Sequence, residues 1–146
     1  MAELILRPAR AGELPAILEF WQVAAENDSR PADTTAAVEA LHRRDPDALI
    51  VAVDGAEIVG TVIAGWDGWR CHLYRLAVAP CRRREGIGGK LIAAAEGRFA
   101  DFGGTRADAM VLDDNAGAHG IWAAHGYRRQ PRWSRWVKPL SSGPER

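Results

Sequence analysis

The stretch LAVAPCRRREGIGGKLI at residues 76–92 restricts the fold more than any other part of the chain. An apolar run halts at Pro80, arginines follow at 82, 83 and 84, and glycines at 86, 88 and 89 open onto a segment with helical spacing. A strand, a glycine turn and then a helix is an arrangement that holds an anion. The first N–H groups of a helix lack intrahelical partners and carry the positive end of its dipole. Glycine lets the backbone curl closely around a phosphate, and nearby arginines add Coulomb attraction. Such a junction belongs to a sheet with helices packed on it.

The common nucleotide motifs do not fit this turn. A P-loop needs a glycine where Arg84 stands and Ser or Thr where Leu91 follows Lys90. A dinucleotide-binding GxGxxG needs a third glycine, and Leu91 occupies that position too. A phosphate-bearing ligand of another kind remains.

The elements around the turn give an order. LILRPA at 4–9 reads as a strand, and AGELPAILEFWQVAAE at 11–26 as an amphipathic helix. NDSRPAD breaks it, with Asp33 or Thr34 as the cap of a second helix, TTAAVEALHRRD. ALIVAVD and GAEIVGTVIAGW form a hairpin about Asp54 and Gly55, and a second turn at 67–69 leads into a third strand over 70–80. The helix after the glycines closes at Gly103 and Gly104. ADAMVLDD is a strand, and Asn115 caps a short helix ending at Gly126. YRRQ and RWSRWVKPL would supply one or two closing strands, leaving 141–146 as a frayed tail. The expected class is α/β (α+β), as a single domain over 1–140.

Composition narrows the function. The 146 residues are enough for one domain with its own core. Lys plus Arg and Asp plus Glu are 19 each, so no overall basic field recruits nucleic acid. Cys71 and Cys81 are too few for a disulfide scaffold, and with no signal peptide or membrane span read, a cytoplasmic setting is expected. His119 and His125, six apart on a short helix, face different ways and make no metal pair, so no metal is expected.

Residues Arg83, Arg84, Glu85, Gly86, Ile87 and Gly88 match (Q/R)-x-x-G-x-(G/A), and the chain here resembles the GNAT N-acetyltransferases, whose acetyl-CoA signature this is. A second segment is similar to the family's last helix, N-x-x-A-x-x-L-Y-x-x-x-G-F: Asn115, Ala118, Ile121, Trp122, Gly126 and Tyr127 fall at its spacings. The stretch GTVIAGWDGWR…LAVAP looks most like bacterial members of the YpeA and ribosomal-protein type.

The resemblance implies a GNAT fold: a mixed, mostly antiparallel sheet of six to seven strands, splayed at the cofactor site and flanked by four helices. It implies acetyl-CoA as cosubstrate and direct acetyl transfer to an amine, borne by a small molecule or a protein. Backbone groups of Leu76, Ala77 and Val78 would meet the pantetheine arm. Those from Arg84 through Gly89, with Arg83 and Lys90, would hold the pyrophosphate. Asn115 and Trp122 would lie beside the cofactor. An N–H near Leu76 or Ala77 would polarise the thioester carbonyl.

An alkylamine must lose a proton before attacking, so a base is needed. Members with a carboxylate base on this strand place it six residues before the position of Val78, which here is His72, and imidazole titrates near neutrality. A strand histidine bonded only to a neighbour would have no such role. Tyr74, two residues on, would orient water or substrate unless it is a packed aromatic. The departure is Trp122, where many members carry a tyrosine acid; indole cannot serve, so water, Tyr74 or Tyr127 would replace it. An alternative from the same departure is an acyl-CoA-binding regulatory module with little turnover.

Glu26, Asn27, Asp28 and Asp33 border the acceptor side in this resemblance, where they would attract a cation or simply be solvated. Trp66, Trp69, Trp133 and Trp136 are expected in core packing, with an acceptor pocket or a homodimer surface as alternatives. No nucleic-acid or membrane partner is expected.

Overall fold

In a computed structural model of the chain, residues 3–25 and 32–140 are described. Glu26, Asn27 and Asp28 and the tail at 141–146 therefore lie outside the described residues. The strands are β1 (Leu4–Pro8), β2 (Leu49–Asp54), β3 (Glu57–Trp66), β4 (Cys71–Val78) and β5 (Ala107–Ala109). The helices are α1 (Leu14–Ala24), preceded by a 3-10 turn at Ala11–Glu13, α2 (Thr35–Arg44), α3 (Ile87–Asp101) and α4 (Ala116–Ala124). The strands lie in sequence order, antiparallel from β1 to β4, with β5 parallel to β4.

Local chemistry accounts for most boundaries. Thr34 caps α2 by accepting the Ala37 N–H at 3.0 Å. Gly55 turns the β2–β3 hairpin at φ 65°. At the end of α3, Gly103 takes φ 80° while Gly104 N–H returns to the Phe99 carbonyl at 2.8 Å. Asn115 caps α4 through the Ala118 N–H at 3.2 Å.

The sheet has five strands among the described residues, fewer than the six to seven expected. The shortfall lies after α4, where residues 127–140 form no strand. Trp133 and Trp136 are three apart, so they cannot share one face of a strand, and Pro131 and Pro139 donate no N–H to a ladder. The strand before α4 also stops at Ala109, short of the expected 107–114.

Each face of the sheet carries a core. On one, Leu91, Ile92, Ala95 and Phe99 of α3 and Trp122 of α4 pack on Val59, Val62, Cys71 and Leu73. On the other, Leu14, Ile17 and Trp21 of α1 and Val38 of α2 pack on Leu49, Val51 and Ala77. Burial of these apolar faces is the main force fixing the helices to the sheet.

Candidate active site

The side chains of strand β4 swap faces of the sheet halfway along. Ile63 pairs with Tyr74 and Thr61 with Ala77, so Arg75 and Leu76 together oppose Val62. This is a β-bulge, and Arg75 holds the left-handed φ of 55° that makes it. The bulge inverts the alternation of side chains. Cys71 and Leu73 belong to the α3 core, whereas beyond the bulge it is Leu76 and Val78 that pack there and Ala77 that joins the α1 core. The pairing with β5 ends at Leu73 and Ala109, so β4 runs on past its neighbour. Leu76, Ala77 and Val78 occupy that free reach.

The strand then delivers the chain to the helix entry. Gly86 is the residue before α3 and has φ 81°, a conformation that L side chains rarely adopt. Arg84 is also left-handed, at φ 68°. Lys90 N–H is already bonded to the Gly86 carbonyl at 3.1 Å, and the amides of the first turn before it have no intrahelical acceptor. Arg82 is committed elsewhere: it meets Glu85 at 3.0 Å and Asp54 at 2.9 Å. Arg84, Glu85 and Lys90 are exposed, and among the described residues Arg84 and Lys90 make no ion pair. Arg83 reaches back toward the carbonyl of Val78 at 3.4 Å, a long contact.

Gly88 and Gly89 have a second use that their spacing does not reveal. A Cβ on Gly88 would lie 2.3 Å from Cδ1 of Ile121, and one on Gly89 2.6 Å from the His125 ring. Both lie within the first turn of α3, and their missing side chains admit α4. Ile87 is buried beneath the same turn. Gly60 of β3 similarly gives room to Leu91 and Ile87, bringing the helix entry down on the sheet.

His72 stands on β4 directly opposite Asp108 of β5. Its Nδ1 lies 2.7 Å from Asp108 Oδ1, and its Nε2 3.5 Å from Asp67 Oδ2. Asp67 is itself held by the N–H groups of Arg70 at 2.7 Å and Trp69 at 2.8 Å, which keep its carboxyl below the usual range. The Tyr74 ring is 6.0 Å from the His72 ring and half-exposed. Burial, and then the charges of Asp108 and Asp67, raise the Tyr74 phenol above its usual value. Sequence reasoning names His72 and Tyr74 as candidates and neither carboxylate: Asp108 comes to His72 only through the β4–β5 register, and Asp67 only through the fold of the turn before β4.

Trp122 is 9% exposed, inside the α3 core and edge-on to Tyr127 with centroids 4.9 Å apart. The Tyr127 hydroxyl donates to Glu96 at 2.7 Å, and burial with that bond raises it well above the ordinary phenol range. Asn115 is engaged in its cap. His119 contacts the Leu112 carbonyl at 2.8 Å and His125 covers Gly89, so the two histidines serve different neighbours. Cys71 is buried and Cys81 exposed.

The tryptophans depart from the expected core packing. Trp69, Trp133 and Trp136 are 73%, 77% and 92% exposed; only Trp66 of that group is partly covered, stacked on Phe102 at 5.5 Å. Their neighbours explain it: each sits in a turn or in the unpaired segment after α4, with no helix above it. Asp33 is paired with Arg75, which places the start of the α2 region against the bulge.

The acetyltransferase (GNAT) family model matches residues 14–127, from α1 through Tyr127. The chain belongs to this family. An acetyltransferase of Pectobacterium atrosepticum is 32% identical over 118 residues, 80% of this chain and 82% of that protein. Among solved structures, the aminoglycoside acetyltransferase AAC(6')-Iy in complex with a CoA-containing bisubstrate analogue superposes with TM-score 0.73 at 18% identity, over 95% of this chain and 100% of the other. The ribosomal-protein-S18-alanine N-acetyltransferase of Escherichia coli gives 0.69 at 17%, over 85% and 77%. At such identities the structures speak for the fold. This GNAT protein is accordingly an acetyl-CoA-dependent acetyltransferase. Among its described residues no helix is long and apolar enough to cross a membrane.

Proposed function

We propose that this GNAT protein moves the acetyl group of acetyl-CoA to a primary amine by direct attack, with His72 as the general base. The observation that carries the reading is the continuity of three features on one chain segment. A bulged strand free of its β5 neighbour leads into a left-handed, exposed glycine, and then into a helix entry flanked by exposed Arg84 and Lys90. Acetyl-CoA supplies the activated thioester, and the residues here fit its two ends. The outward amides of residues 84–89 suit a pyrophosphate, with Arg83, Arg84 and Lys90 beside it. Leu76, Ala77 and Val78 offer main-chain groups to an extended arm, as an added strand would.

The bulge sets where the chemistry falls. The N–H of Leu76 follows the left-handed Arg75 and is the donor assigned to the carbonyl oxygen of the tetrahedral intermediate. His72 and Tyr74 lie on the part of β4 before the bulge, opposite in facing to the Cys71 and Leu73 side chains that enter the α3 core. Asp108 accepts from Nδ1–H of His72, which leaves Nε2 as the basic nitrogen for the incoming ammonium, directly or through water. Asp67 and Asp108 offset the imidazolium that results. Tyr74, its phenol kept protonated at neutral pH, orients the acceptor or a water. The thiolate takes its proton from water, since Trp122 is not an acid and Tyr127 is tied to Glu96.

Trp122 and Asn115 serve the cofactor side as the wall and the cap of α4. The finer resemblance to bacterial YpeA and ribosomal-protein enzymes is part of the same proposal. The amine acceptor itself, small molecule or protein, is to be found by assay. Thermal unfolding with and without acetyl-CoA, combined with thiol release over a panel of small amines and peptide N-termini, tests the whole reading. A raised melting temperature with amine-dependent thiol release supports it. No shift at saturating acetyl-CoA overturns it.

A further inference from the structure

We infer that Thr61, Trp21 and Arg75 form a positioning unit that holds the β4 bulge in its reactive shape and ties it to the start of α2. The inference rests on the proposed role of the Leu76 amide.

Arg75 occupies a left-handed conformation that is unfavourable for a non-glycine residue, so something must hold it there. The surroundings supply the hold from both ends of the residue. Thr61 is wholly buried and is the one buried polar side chain among the described residues. Its hydroxyl donates to the Arg75 carbonyl at 2.9 Å and accepts from the indole N–H of Trp21 at 2.8 Å. A hydroxyl that both accepts and donates is fixed in orientation, so the carbonyl of the bulge cannot turn without breaking the chain. The same peptide plane carries the Leu76 N–H. Fixing the carbonyl therefore aims the amide.

The side chain closes the arrangement. The Arg75 guanidinium lies over the Trp21 ring at 5.2 Å and is paired with Asp33, just before Thr34 caps α2. Trp21 is 2% exposed and belongs to the α1 core. One indole thus touches the bulge twice, through its N–H by way of Thr61 and through its face by way of the guanidinium. The arrangement joins α1, β3, β4 and the residues leading into α2 at the single peptide where transition-state charge is to be met.

The test compares Thr61→Val, Thr61→Ser and Arg75→Gly with the wild type in kcat, in KM for each substrate and in acetyl-CoA affinity by calorimetry. Valine keeps the volume and deletes both hydrogen bonds; serine restores the hydroxyl. Glycine accepts the left-handed φ without strain, so Arg75→Gly keeps the fold even where Thr61→Val does not. The expected result is a fall in kcat of about tenfold or more in Thr61→Val and Arg75→Gly, with acetyl-CoA affinity changed less than about threefold. Thr61→Ser is expected to recover most of the rate. Folded variants with wild-type kcat, or a serine variant no better than valine, overturn the inference while the function stands. A wild type that neither binds acetyl-CoA nor releases thiol overturns the function, and this inference with it.

Discussion

Asp108 meets His72 at 2.7 Å across the parallel β4–β5 pair, two residues that stand opposite in register although 36 positions apart in the chain. A carboxylate on Nδ1 favours the tautomer with its proton there, and Nε2 faces Asp67 at 3.5 Å. The general-base role proposed for His72 rests on this pair.

If that assignment holds, His72→Ala lowers kcat/KM for the amine by about 100-fold and removes the rise in rate on the acid side of the pH profile. Asp108→Asn lowers it less, about tenfold, because the amide still bonds the ring but no longer balances its charge. Steady-state kinetics between pH 5 and 9 check both. A His72→Ala profile of unchanged shape would remove the residue from the mechanism.

The glycines of the turn separate by stability. Gly86→Ala meets no neighbouring atom but must adopt φ 81°, so it loses about 1–2 kcal/mol and weakens acetyl-CoA binding by shifting the turn. Gly88→Ala instead collides with Ile121 and costs on the order of 1–3 kcal/mol through α4. Replacing Ile121 with Ala in the Gly88→Ala background should recover part of that loss, and the same replacement should recover nothing for Gly86→Ala. Denaturant unfolding of the four variants decides.

Trp122→Tyr is expected to lower stability by about 1–3 kcal/mol, since the indole fills a buried site against Tyr127. A thermal melt reads this directly. If thiol release also rises, the new phenol has taken up the acid role assigned above to water.

The Arg7–Glu13 pair gives a pH effect on stability. The Arg7 guanidinium, bonded at 2.7 Å, and the Arg10 N–H hold the Glu13 carboxyl down at about 2, below its ordinary 4.5. A depressed folded-state pKa means that the stabilisation is present above pH 4.5 and is lost as pH falls from there toward 2. Solvent reaches this pair, so the contribution is on the order of 1 kcal/mol. Glu13→Gln should flatten the acid side of the stability curve, measured by denaturant unfolding from pH 7 to 3.

The legible parts of this chain were local. Turn glycines, the caps at Thr34 and Asn115 and the glycine stop after α3 can all be read from short stretches, because their causes lie within a few residues. The helix entry at Gly86 belongs with them. Long-range relationships were not legible: the Asp108–His72 register, the use of Gly88 and Gly89 by α4, and the support of Arg75 by Thr61 and Trp21. Each depends on which elements pack together, and no spacing along one strand encodes it. The closing strands failed for the opposite reason. Residues 127–140 contain aromatic residues favoured in strands, yet their spacing lacks the period of two that a paired strand requires.

Strand β5 is three residues long and, among the described residues, forms an edge of the sheet. An open margin is where β-proteins are vulnerable to edge-to-edge aggregation, and brevity and charge are the usual protection. Asp108 sits in the middle of that margin, so the carboxylate that meets His72 also places a negative charge where strand addition would begin. Neutralising it would then carry two penalties, a slower reaction and a protein more prone to come out of solution.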